Sequence, residues 1–454
     1  MDSLAQRIVN YELLHSKFDD ASLCFSKSGK NIIVKSPDDV VKFDLNNVKK
    51  LGEGAFNKVY LVSDNIQHKD IQYVIRINKN ADDDTMDEKS KACISDMYSL
   101  YFSNLVKDNI FPNFPLVINS FLCGNNYIDF SPITIQEYAE GDSVNHYINH
   151  ILDLDSDSKK ILLQTILTYF FMNNTLSIAH NDANPSNIIV KNIETTNISY
   201  KFGNIYFNIE GVNKLALITD FDRTRTNIFA YNTNYFTTYY KHYAVANLQS
   251  SVSSKIIIDV YNKILKLSLD SPQRTFMNDL FTFACTSLHD TVIEFMSDLF
   301  ISNMELSESI GKHFSDICNV SDCVPSNYKV YNLDIKIDPV YTTQYKMLYL
   351  CAYNNDEFRK YKGDPKFLEY LNETYKLNRF IGTTNSDSAE NLFKFLKEND
   401  FFNQSENEEN YLNVCMYIFN DKPLEHYTHT DSGIIRVSRL LNIMNEIFTF
   451  LQKK

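Results

Sequence analysis

The chain has 454 residues, 44% apolar and 22% charged, with a formal net charge of −13. That length is enough for a large core and more than one compact unit, and the acidic balance argues against a nucleic-acid backbone as the main partner. The N-terminus lacks a basic stretch followed by an apolar core, and the apolar run from Ile161 to Met172 is interrupted by Gln164 and Thr165, so neither a signal peptide nor a membrane span is expected.

Leu4, Ile8, Tyr11, Leu14 and Phe18 recur at helical spacing, and Asn31-Ile-Ile-Val-Lys35 follows as a strand. Residues 1–45 therefore read as an N-terminal extension packing on the next unit. From Val48 the pattern turns β-rich. Lys49-Lys50-Leu51 leads into Gly52-Glu53-Gly54-Ala55-Phe56-Asn57 and the alternating strand Lys58-Val59-Tyr60-Leu61-Val62. A polar turn from Asp64 to Asp70 joins it to a second strand, Ile71 to Ile77, as a hairpin. The acidic run Asp82 to Glu88 suits the start of a helix that continues through Ile94, Met97, Tyr98, Tyr101 and Phe102. Strands are expected at Leu116 to Phe121 and Ile133 to Tyr138, and from Ser156 the helical period takes over.

The expected organisation is α+β. Residues 46–141 form a small β-rich lobe with one helix, 142–325 a mostly helical lobe, and 326–454 a helical C-terminal extension. Helices are expected in that extension at Tyr341 to Tyr353 and Arg436 to Leu451, with a polar, acidic loop from Asn403 to Glu409. The eight cysteines have no zinc-like spacing. They are expected to be free or buried thiols in a reducing compartment, which points to the cytoplasm.

Two segments carry the chemistry. His180-Asn-Asp-Ala-Asn-Pro-Ser-Asn187 places an Asp and an Asn five positions apart on one tight loop, followed by the strand Ile188-Ile189-Val190. Leu217-Ile218-Thr219 is a strand running into Asp220-Phe221-Asp222. Phosphoryl transfer from a nucleotide needs these parts: a carboxylate at the acceptor hydroxyl, an amide on a metal, and a carboxylate bridging metal to phosphates. Upstream, Gly52, Glu53, Gly54, Ala55 and Phe56 lie between two strands, where glycines let backbone N–H groups approach phosphate oxygens. In Tyr73 to Lys79 side chains alternate faces, so Val74 and Arg76 share one face while Lys79 has the opposite parity. Arg76 is thereby the candidate phosphate contact, with Glu88 or Asp96 as its acidic partner. The strand ending at Glu137-Tyr138-Ala139 can offer backbone hydrogen bonds to an adenine at Glu137 and Ala139.

In order and separation, these segments resemble the eukaryotic-protein-kinase-like superfamily over about residues 45–310, a bilobal fold with a β-rich N-lobe and a helical C-lobe. The resemblance implies that Asp182 accepts the acceptor-hydroxyl proton, that Asn187 and Asp220 bind metal, and that Gly52 to Phe56, Val59, Val74, Arg76, Glu137 and Ala139 bind nucleotide. It implies ATP with Mg2+ or Mn2+ as cofactors and a protein as the acceptor. Some positions depart from the family pattern. Asn57 stands at the third glycine, Asn181 at an arginine, Asn184 at the loop lysine and Asp222 at the glycine after Asp-Phe. The alternation around Gly203-Asn204 predicts a hairpin inserted between Asn187 and Asp220. That insertion is similar to haspin and to the Ser/Thr kinases of poxviruses and other large cytoplasmic DNA viruses. Phe276 to Phe283 resembles the start of their central C-lobe helix, whose Asp (here Asp279) braces the catalytic loop. Two alternatives remain. His-Asn-Asp, an Arg on the third strand and the missing lysine are similar to choline-kinase and aminoglycoside-phosphotransferase patterns, while the substitutions taken together also fit a nucleotide-binding pseudokinase scaffold.

Overall fold

The computed structural model describes residues 3–18, 24–28, 31–35, 40–44, 48–53, 57–78, 86–123, 131–148, 154–226, 234–268, 271–336, 376–402 and 408–419, and the helical positions 443, 446, 447, 450 and 451. In chain order the first elements are α1 (Leu4–Phe18), β1 (Cys24–Ser28), β2 (Asn31–Lys35), β3 (Val40–Asp44), β4 (Lys49–Glu53), β5 (Asn57–Ile66), β6 (Lys69–Asn78), α2 (Met86–Lys107), β7 (Val117–Cys123) and β8 (Ser131–Glu137). There follow α3 (Val144–Ile148), α4 (Ser156–Asn174), β9 (Ile178–Ala179), β10 (Ile188–Phe202), β11 (Ile205–Ile218) and β12 (Arg225–Thr226). Then come α5 (Asn234–Asn247), α6 (Ser251–Ile264), α7 (Pro272–Ser287), α8 (Asp290–Phe300), α9 (Leu306–His313), β13 (Cys318–Ser321) and β14 (Lys329–Asn332). The protein is α+β.

The chain divides into two compact units. One comprises Met1–Tyr11, Tyr101–Leu116 and Tyr138–Ile337; the other comprises Glu12–Leu100, Val117–Glu137 and Asp338–Lys454. Helices α1 and α2 thus each contribute to both units, and the breaks fall at different places from the 45/46, 141/142 and 325/326 divisions expected from the sequence.

The second unit is built on a five-stranded antiparallel sheet of order β4-β5-β6-β8-β7, with a separate three-stranded sheet β1-β2-β3. The β5–β6 hairpin is longer than its apolar residues predict. Its ladder runs from Asn57↔Asn78 to Ile66↔Lys69, and only Gln67 and His68 turn, at φ +49° and +66°. Two central residues with positive φ suit the twist of a tight hairpin. The polar residues expected in a loop pair across the strands instead, as where Asn65 Nδ2 donates to Asp70 Oδ1 at 2.7 Å. Tyr73 and Ile75 of β6 and Ile135 of β8 are buried, and Phe18 packs edge-on against Tyr73 at 5.6 Å.

The C-terminal part of this unit holds helices Asn385–Glu398 and Glu408–Phe419. The first begins with a reciprocal cap between Thr384 and Asp387. Ile443, Ile447 and Leu451 are buried at four-residue spacing, the mark of one helix face. They belong to the helix expected over Arg436 to Leu451. The helix expected at Tyr341 to Tyr353 lies outside the described residues, as does most of the Asn403 to Glu409 loop.

In the first unit, β10 and β11 form one long hairpin, flanked by two short strands in the order β13-β11-β10-β14. Its ladder starts at Ile188↔Ile218 and ends at Phe202↔Ile205, with register shifts around Thr196. Gly203 takes the first turn position at φ +59°, a conformation glycine adopts without strain. The insertion expected between the two chemical segments is therefore the far end of the ladder whose near end holds those segments. A satisfied polar network joins this hairpin to α4. Asn113 Nδ2 donates to Gln164 Oε1 (3.1 Å) and to the Ala216 carbonyl (2.9 Å), and its Oδ1 accepts from the Tyr200 hydroxyl (2.7 Å). Arg7 is buried and donates to the carbonyls of Pro112 and Phe114, both at 2.9 Å. Helix α7 is buried along almost its whole length. Among the described residues Cys285, Cys318, Cys323 and Cys415 are free thiols, and no helix is long and apolar enough to cross a membrane.

Candidate active site

The β10–β11 ladder brings the two chemical segments of the first unit together. At its open end, Thr219 donates from both its N–H and its hydroxyl to the Asn187 carbonyl, each at 2.9 Å. The chain then turns sharply. Asp220 adopts a left-handed backbone at φ +65° and ψ +64°, followed by the 3₁₀ turn Phe221–Arg223. Asp tolerates that conformation better than branched or bulky residues, and such outliers gather at functional sites.

His180 ties the segments a second time. Its imidazole is fully buried, with Nε2 2.9 Å from the Thr219 carbonyl and Nδ1 3.3 Å from the Asp182 N–H. A carbonyl requires a donor and an N–H requires an acceptor, so the network assigns a neutral ring protonated at Nε2. Below it, the buried Asp279 on α7 accepts from the N–H of His180 and of Asn181, each at 2.8 Å, and from Asn173 Nδ2 at 3.0 Å. This is the bracing contact expected for Asp279. Burial raises the Asp279 carboxyl above its ordinary range, opposed by these hydrogen bonds. Phe221 is buried against Phe102 (4.6 Å) and His180 (5.5 Å).

Within the loop, Asn187 Nδ2 donates to the Asp182 carbonyl at 3.0 Å and to Asp182 Oδ2 at 3.2 Å. That orientation leaves the Asn187 amide oxygen as the atom for a cation. Asp182 Oδ1 accepts from the Tyr240 hydroxyl of α5 at 2.9 Å and lies 3.8 Å from Arg223 Nη1. Burial and the Asp182 charge raise the Tyr240 phenol above its ordinary value. Asn184 uses its side chain locally, accepting from the Ser186 N–H (3.0 Å) and hydroxyl (2.9 Å).

Asp182, Asp220 and Asp222 are each half-buried, and one carboxylate oxygen from each lies within 4.8 Å of the others. Burial first, then the charges of Asp220 and Asp182, pushes the Asp222 carboxyl up to about 6. The three carboxylates form a hard, all-oxygen donor set. It suits Mg2+ or Mn2+ and lacks the His or Cys that zinc favours. The metal-ligand residues expected from the sequence, Asn187 and Asp220, thus converge with Asp182, and Asp222 joins them.

The nucleotide-binding candidates Val59, Val74 and Arg76 lie on the five-stranded sheet of the second unit. Val59 pairs directly with Arg76 across β5–β6, and Arg76 with Thr134 across β6–β8. Directly paired residues share a face, so Val59, Val74 and Arg76 lie on one side of the sheet. Arg76 is half-buried and its Nη1 lies 3.5 Å from Ser95 Oγ on α2. The side chains of Glu88 and Asp96 lie outside the described residues. Gly52 and Glu53 end β4, and a side chain at Gly52 would meet nothing within 4 Å. Gly54, Ala55 and Phe56 lie outside the described residues. Glu137 ends β8, and Ala139 is half-buried in the segment that follows.

The sequence marks Asp222 as either a supporting group beside the metal ligands or an extra ligand, whereas it assigns Tyr240 no role at the site. Asp222 was legible as an added charge beside Asp220. Tyr240 lies 58 residues beyond Asp182 in a tyrosine-rich helix, and no local pattern points it at the loop. No protein-family model matches the chain, and no curated protein matches it significantly.

Proposed function

We propose that the chain is an ATP-dependent phosphotransferase, a divergent protein serine/threonine kinase that moves the γ-phosphoryl group of metal-bound ATP to a protein hydroxyl. The supporting observation is the convergence of Asp182, Asn187 and Asp220 at the open end of one hairpin, with a fourth oxygen donor in Asp222. Asp220, Asn187 and Asp222 are the residues that would hold Mg2+ or Mn2+. The cation, when bound, ties the phosphate oxygens to these groups and offsets the charge of transfer. Asp182 takes the proton of the acceptor hydroxyl as the new O–P bond forms and ADP departs with the electrons of the broken bond. His180 and Asp279 keep the loop in position without touching the substrate.

The test is transfer of label from γ-labelled ATP in Mg2+ or Mn2+, with casein or with small hydroxylated compounds as acceptor. The expected result is labelled protein, reduced by about 10²–10⁴-fold in Asp182→Ala. Label only on small compounds replaces the protein acceptor with a choline- or aminoglycoside-like one. Nucleotide-induced thermal stabilisation with no transfer to either leaves a binding scaffold.

A further inference from the structure

A triphosphate entering a site with three carboxylates meets strong repulsion, and transfer adds charge at the equatorial phosphoryl oxygens. Metal answers part of that charge; a side-chain cation aimed at the moving group answers the rest. The loop itself supplies none here. Asn184 is neutral and its side chain is engaged by Ser186.

Arg223 lies where such a cation is needed. Its Nη1 is 3.8 Å from Asp182 Oδ1, and its side chain is 39% exposed while that of Asp182 is 19% exposed. Both Asp182 carboxylate oxygens take closer hydrogen bonds, from Tyr240 (2.9 Å) and from Asn187 (3.2 Å), and the Arg223 charge also acts on Asp222. The backbone beneath it is fixed. The turn Phe221–Arg223 closes through Thr224 N–H to the Phe221 carbonyl at 3.1 Å, and Asn181 Nδ2 donates to the Arg223 carbonyl at 3.0 Å. Asn181 reaches it from a left-handed backbone at φ +60°. Two departures from the kinase pattern thereby acquire one explanation: Asn181 anchors the arginine, and the arginine carries the charge that Asn184 lacks.

We propose that Arg223 is a catalytic residue of this centre, its guanidinium contacting and neutralising the phosphoryl group as it passes to the acceptor held by Asp182. A planar fork of N–H donors matches phosphate oxygens in a way that a point charge does not. The inference rests on the phosphotransfer reading. It differs from a purely structural role, in which Arg223 only balances the acidic cluster and its removal alters stability and metal affinity.

Steady-state kinetics of the full chain, Arg223→Ala, Arg223→Lys and Asp182→Ala test it, alongside the Kd of Mn2+–ATP and the melting temperature of each. Arg223→Ala is expected to lower kcat by about 10²-fold or more while the Mn2+–ATP Kd stays within about three-fold, and Arg223→Lys recovers part of the loss. A kcat within about three-fold of the parent overturns the proposal, as does a loss matched by weaker Mn2+–ATP binding or by a lowered melting temperature. If the parent chain shows no Asp182-dependent transfer, the phosphotransfer reading itself fails and this inference falls with it. If the parent transfers and Arg223→Ala transfers equally well, only this inference fails.

Discussion

At the scale of single residues, the competition for Asp182 is the most consequential contact. An acceptor hydroxyl that uses Oδ1 must displace the Tyr240 phenol, and a hydrogen bond to a charged group contributes about 1.5–3 kcal/mol. Tyr240→Phe is therefore expected to lower the acceptor KM several-fold with kcat unchanged or raised. A lower kcat at unchanged KM would instead make Tyr240 a residue that holds Asp182 in position. Asp222 gives a pH dependence. Its carboxyl titrates near 6 in the folded chain and near 3.8 unfolded, so the folded state binds more protons between those values. The contribution to stability is fully present below about 3.8 and is lost as pH rises through about 6. A divalent cation binds the ionised form, so the Mn2+-induced rise in melting temperature should be small near pH ~5 and large near pH ~8. Equal rises at both would show that Asp222 is not a ligand. Asp222→Asn should stabilise the metal-free protein at neutral pH.

At the scale of elements, the site depends on how β10 is anchored just after the His180–Asn187 loop. Gly141 N–H donates to the Val190 carbonyl (2.9 Å), and Val190 N–H donates to the Asp142 carbonyl (3.0 Å). A Cβ at Gly141 would lie 2.4 Å from the Val190 oxygen, which is backbone and cannot swing aside. Gly141→Ala should cost about 1–3 kcal/mol in urea unfolding through this overpacking; parent-like stability would mean that the two segments separate freely. Much of this region was legible in the sequence. The apolar runs at Ile188 to Val190 and Leu217 to Ile218, with Gly203-Asn204 between them, specify the hairpin. Its continuity and its flanking strands were not legible. Cys318–Ser321 and Lys329–Asn332 are four residues each, and they pair only because the long hairpin presents edges to them. Nor was the Asn113 network, which joins residues 51 to 103 positions apart through polar side chains that a hydrophobicity pattern does not register.

At the scale of the whole molecule, the compact units are assembled from distant stretches, with α1 and α2 contributing to both. Helical and strand periodicity reports local burial, and it carries little information about which distant segments share a core. The central claim, a metal-dependent nucleotide centre built on Asp220 with Asp182 as base, can be tested on the intact chain. The direct measurement is the thermal shift produced by millimolar ATP with and without Mn2+ in the parent, Asp182→Asn and Asp220→Asn. Ligand at one hundred times its Kd stabilises by about 2.7 kcal/mol, a shift readily seen. The account predicts a metal-dependent rise in the parent, nearly retained in Asp182→Asn and largely lost in Asp220→Asn. No rise with either ATP or GTP, with metal present, would contradict it, and so would equal loss in both variants.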